Sequence, residues 1–126
     1  MRTNIKEPKR EGGTSYITGV LRDETGALVD GDDLTTLTLT LYDEATDTII
    51  NDQYQTDILN ANGGSVDSEG NFTLTLLPED MPIVTAGMRR ELHIALIEWT
   101  YPADKAGWQD FAFIVTALHQ PPAPTP

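Results

Sequence analysis

The chain of 126 residues has no cysteine. No disulfide can staple the fold, and no thiolate is available as nucleophile or metal ligand. Basic residues are scarce: 8 Lys and Arg stand against 20 Asp and Glu, giving a net charge of −12. That balance argues against nucleic acid as a direct partner, because phosphates call for a basic surface. No apolar run approaches the roughly 18 residues needed to span a membrane. The opening segment Met1-Arg-Thr-Asn-Ile-Lys-Glu7 also lacks the apolar core of a signal peptide. His93 and His119 are the only histidines. They lie apart and outside any ligand-like cluster, so both read as packed strand residues, not as zinc ligands or catalysts. Ser15, Ser65 and Ser68 are the only serines, and none stands in a Gly-x-Ser-x-Gly elbow. No phosphate-cradling glycine loop occurs. The expectation is a non-enzyme with no catalytic, cofactor-binding or metal residue.

Helical periodicity is missing too, and alternation takes its place. From Thr36 to Tyr42 threonine alternates with leucine, so Leu37, Leu39 and Leu41 share one face and Thr36, Thr38 and Thr40 the other. A period of two marks a strand with one buried face, and threonine suits the wet side of a pleat. Phe72-Thr-Leu-Thr-Leu76 repeats the pattern. Glu91 to Tyr101 is longer, with Leu92, Ile94 and Leu96 on one face and His93, Ala95, Ile97 and Trp99 on the other. Both faces are largely apolar, which predicts cover on both sides. Trp108 to Leu118 closes the domain, and Tyr16 to Leu21 and Thr48-Ile-Ile50 supply further strands. Turn signals separate them at Asp23–Gly26, Asp43–Asp47, Asn60–Gly64, Asp67–Asn71 and Pro102–Gly107. Pro78-Glu-Asp80 predicts one helical turn with acidic residues at its start. About seven short strands predict an all-β fold, an antiparallel immunoglobulin-like β-sandwich with Trp99 in its core. An open barrel is the alternative.

The acidic loops are weighed against solvated turns. Asp30-Gly-Asp32-Asp33 suggests calcium, but the further ligands and closing glutamate of an EF-hand loop are missing. Glu79, Asp80 and Glu98 are the carboxylates nearest apolar stretches, without the facing pair a glycosidase needs. Trp99, Tyr101 and Trp108 flank one hairpin. They serve either as core packing with a hairpin aromatic pair or as a sugar-stacking or interface surface.

The ends differ from the body. Arg2, Lys6, Lys9 and Arg10 oppose only Glu7 in the first ten residues, so half of all basic residues sit there. Residues 1–13 read as an extended basic arm ending in the flexible joint Gly12-Gly13, residues 14–119 as the sandwich, and residues 120–126 as a Pro-rich tail. A basic arm on an acidic body suits contact with a neighbouring subunit. The candidate interface residues are Arg2, Lys6, Lys9, Arg10, Trp108, Pro121 and Pro122.

Four segments carry a resemblance. They are Ile17-Thr-Gly-Val-Leu-Arg-Asp-Glu-Thr-Gly26, Leu37-Thr-Leu-Thr-Leu-Tyr-Asp43, Asn71-Phe-Thr-Leu-Thr-Leu-Leu-Pro-Glu-Asp80 and Glu91-Leu-His-Ile-Ala-Leu-Ile-Glu-Trp-Thr-Tyr101. Together they resemble small immunoglobulin-like virion proteins of tailed bacteriophages, over roughly residues 16 to 118. The motifs are structural, and the arm and tail lie outside them. The resemblance implies no catalytic residue and no cofactor. It implies a structural protein of the particle, present in several copies and contacting capsid, portal, neck or tail subunits, with a head-associated or neck place favoured over the baseplate. It also implies a virion location after synthesis in the host cytoplasm. The alternative function is a carbohydrate- or receptor-binding module using the Trp99–Trp108 hairpin.

Overall fold

A computed structural model describes residues 2–119; Pro121 and Pro122 lie outside them. The nine strands described are β1 (Arg2–Asn4), β2 (Lys9–Arg10), β3 (Ser15–Val20), β4 (Thr36–Asp43), β5 (Thr56–Asp57), β6 (Gly64–Val66), β7 (Asn71–Leu76), β8 (Arg90–Tyr101) and β9 (Lys105–Thr116). One sheet runs β1-β9-β8-β4-β5, with β2 also paired to β9, and the other runs β3-β7-β6. Single 3-10 turns at Gly31–Asp33 and Pro78–Asp80 are the only helical pieces described, and the second is where the sequence predicts a helical turn. No helix is long and apolar enough to cross a membrane among the described residues.

The alternating stripes build the core. Leu37, Leu39 and Leu41 are 0–1% exposed, and Ala95, Ile97 and Trp99 oppose them across β8. Ile17 of β3 and Phe72, Leu74 and Leu76 of β7 meet this face from the other sheet. The two layers touch where Phe72 stacks on Phe111 with centroids 5.6 Å apart. Gly19 leaves the space for that ring: a Cβ there would lie 2.8 Å from Phe111 Cε1. Ile94 is also fully buried, but on the outer face of β8, between its cross-strand partners Tyr42 and Ala112.

Three expectations change. The first thirteen residues do not run out as an arm. Arg2–Asn4 and Lys9–Arg10 pair in parallel with β9, so the larger sheet is mixed and not purely antiparallel. The reason is the open edge of β9, whose backbone groups need partners. The Ile5 and Glu11 N–H groups continue the pairing, donating to the carbonyls of Ala112 and Thr116 at 2.8 and 2.9 Å. The expected Thr48–Ile50 strand reduces to a single bridge between Ile49 and Tyr42, while the strand on β4 is Thr56–Asp57. A short strand, Gly64–Val66, also begins where the sequence shows only a turn.

Candidate interaction surfaces and a buried carboxylate–histidine cluster

The sheet edges differ in how they are guarded. The larger sheet ends on both sides in strands of two or three residues, and β6 has three. β3, with six residues, is the one long edge among the described residues. Its outward residues are Tyr16, Thr18 and Val20, with Tyr16 62% and Val20 40% exposed. Ser15–Val20 itself contains neither a charged residue nor a proline, the usual devices against edge pairing, and Lys9, which caps the Tyr16 carbonyl at 3.2 Å, is the charge that reaches its backbone.

The outer face of the larger sheet forms a second surface. Trp108 is 56% exposed on β9, opposite Glu98. With Thr36, Thr38, Gln55 and Thr100 the two line a shallow hollow. Trp99 borders the same hollow, but its indole is turned into the core and the residue is 2% exposed, so it offers no stacking face there. Tyr101 is half-buried and donates its hydroxyl to Glu24.

The basic residues expected to form one interface are dispersed. Arg2 is 3.2 Å from Asp110 on the adjacent strand. Lys9 donates to the Tyr16 carbonyl at 3.2 Å. Lys6 and Arg10 are exposed. Asp30, Asp32 and Asp33 form a capped 3-10 turn in which Asp30 accepts from the Asp32 N–H.

His93 is a packed strand residue, but the expectation that no ligand-like cluster surrounds it is overturned. Asp43 ends the Leu37–Leu41 stripe, and Glu91 and His93 begin the Ala95–Trp99 stripe, so all three face inward. Register brings Asp43 opposite His93. Asp43, Glu91 and His93 are 2%, 6% and 0% exposed. His93 Nε2 lies 2.9 Å from Glu91 Oε1 and 3.7 Å from Asp43 Oδ1. Two loops close over this end. The Val84 and Thr85 N–H groups donate to Glu91 at 2.7 and 2.8 Å, and Thr46 donates its N–H and hydroxyl to Asp43 Oδ2 at 3.2 and 2.7 Å. Burial pushes the Glu91 carboxyl up, but the two N–H donors and the His93 ring outweigh it and hold it below its usual range. The parity of each strand was readable, but the register that joins them was not. No family model, curated protein or solved structure matches this chain.

Proposed function

We propose that the protein is a non-enzymatic structural subunit that joins neighbouring chains by strand addition at β3. The observation that carries this reading is a long, uncharged edge strand with Tyr16 and Val20 exposed beside it. Such an edge offers backbone hydrogen bonds for affinity and alternate side chains for specificity. The sandwich is read as an immunoglobulin-like variant with short strands added at its margins. The assembly is a tailed-phage particle, at the head or neck ahead of the baseplate; this rests on the resemblance of the four strand segments. The test is mass spectrometry of gradient-purified particles carrying wild-type or Val20→Lys protein. The expected result is wild-type protein at fixed stoichiometry and strong depletion of the variant, with an unchanged circular dichroism spectrum for the isolated variant. Absence of the chain from particles, or equal incorporation of both forms, overturns the reading.

A second reading rests on Trp108. An exposed indole beside Glu98, Gln55 and threonine hydroxyls is the kind of mixed surface on which a sugar ring stacks. Glycan-array binding that disappears in Trp108→Ala supports it, and no binding by the wild-type chain removes it.

A further inference from the structure

We propose that Asp43, Glu91 and His93 hold a divalent first-row transition-metal ion, with Zn2+ the best fit, as a structural pin at one end of the sandwich. One oxygen from each carboxylate and one imidazole nitrogen lie within 4.8 Å of one another. Metal bonds of about 2.0–2.2 Å at tetrahedral or octahedral angles place neighbouring donors roughly 3.0–3.5 Å apart, close to the separations around Nε2.

Two observations point to a ligand. The first is an oxygen without a partner. Nε2 carries at most one hydrogen, and Glu91 Oε1 at 2.9 Å is placed to receive it. At 3.7 Å from Nε2, Asp43 Oδ1 is too far for a hydrogen bond. Oδ2 alone takes the Thr46 donors. The Asp43 side chain is 2% exposed, and Oδ1, facing the cluster, accepts no hydrogen bond among the described residues; the cluster's fully buried atom without a partner is His93 Nδ1, which carries the ring proton when Nε2 binds a metal.

The second is charge. Two carboxylates share one imidazole, and no Lys or Arg of the described residues forms a salt bridge with either. Even an imidazolium leaves a net negative charge in the interior, which is costly. A divalent ion with neutral His93 balances the cluster. The N–H groups of Val84, Thr85 and Thr46 then orient the carboxylates from behind, as outer hydrogen bonds do in metal sites. One imidazole nitrogen with two carboxylate oxygens suits Zn2+ or Mn2+ and not a thiolate-seeking ion.

The test uses the full chain, unfolded with chelator and refolded with or without Zn2+. Zinc content is read by mass spectrometry, melting by circular dichroism, and the His93 ring nitrogens by long-range 1H–15N NMR. The expected result is a single zinc per chain, a melting temperature that rises with zinc concentration, and an Nε2 resonance shifted to its metal-bound position with the ring proton on Nδ1. Asp43→Asn keeps an acceptor for Thr46 and should bind at least ~10-fold more weakly, a difference of about 1.4 kcal/mol. Asp32→Asn should bind as wild type. If Asp43→Asn does not fold, the His93 resonances of the wild-type chain decide alone. Stoichiometric zinc that leaves the His93 resonances unmoved, or survives Asp43→Asn, overturns the proposal, and so does a wild-type chain that takes up none. In that last case the cluster is a hydrogen-bonded network only.

Discussion

Gly107 and Trp99 face each other across the β8–β9 ladder, and the indole fills the space where a side chain on Gly107 would stand. A Cβ built on Gly107 would come within 2.7 Å of Trp99 Cε2, Cζ2 and Nε1. Trp99 is 2% exposed and lies among Leu37, Leu39 and Ile97, so it has no free direction in which to yield. Gly107→Ala should therefore destabilise the fold by about 1–3 kcal/mol through overpacking. Urea unfolding measures this, and an alanine variant as stable as wild type would show that the indole repacks freely.

Another buried carboxylate, apart from the His93 cluster, fastens one loop to another. Asp80 is 3% exposed. Its Oδ1 accepts from the side-chain amides of Asn51 and Gln53 at 2.9 and 3.0 Å, and its Oδ2 accepts the Leu77 N–H at 2.9 Å. Asn51 and Asp52 occupy the left-handed region, with φ of 52° and 55°, so this loop needs outside support. Asp80→Asn turns one acceptor into a donor and leaves at least one of these part-buried N–H groups without its partner. The expected cost is about 1–3 kcal/mol, with faster amide exchange between residues 50 and 54. Denaturant unfolding and hydrogen exchange check the two parts separately.

The strands that were legible are those whose burial follows from their own spelling. Leu37, Leu39 and Leu41 alternate with threonine and are buried as parity requires; Leu74 and Leu76 behave alike. What stayed hidden depends on partners distant in sequence. Arg2–Asn4 and Lys9–Arg10 carry no apolar alternation, and the β9 edge draws them into the sheet. Gly64 reads as a turn residue, yet the chain needs glycine there because a Cβ would sit 2.4 Å from the Ile58 carbonyl oxygen. The cluster at His93 is the sharpest case. Each residue's inward direction follows from period two, but pairing Asp43 with His93 requires the β4–β8 register across about fifty residues of chain.

Because the first ten residues cover β9, removing them should do more than shorten the chain. Deletion of residues 1–10 strips the parallel partners from Asp110–Ala112 and from Val115–Thr116, and it leaves Asp110 without Arg2. Arg2 is the exposed member of this ion pair, while Asp110 is largely buried. The larger effect is an open edge on a strand whose inward residues are Phe111, Phe113 and Val115. The truncated protein should melt at a lower temperature and self-associate as its concentration rises, measured by light scattering. A truncated chain that stays monomeric with unchanged melting would show that β1 and β2 contribute nothing to the edge.

Tyr101 should report the contact that ties the β8–β9 hairpin to the loop after β3. Its hydroxyl donates to Glu24, and this hydrogen bond is the main reason its ionisation is pushed up from 10.0 to about 12. The same bond holds the Glu24 carboxyl below its ordinary range, with Lys105, 3.7 Å away, acting in the same direction. The folded state thus holds the Tyr101 proton more tightly than the unfolded chain does. The stabilisation is fully present below the unfolded value near 10.0, and it fades as pH rises toward about 12. The phenolate absorbance of wild type should show one tyrosine titrating late, and Glu24→Gln should bring that transition back toward the ordinary range. A late transition that survives in Glu24→Gln would assign it to another tyrosine, such as Tyr42, whose ionisation is also raised, chiefly by burial and then by the charge of Asp110.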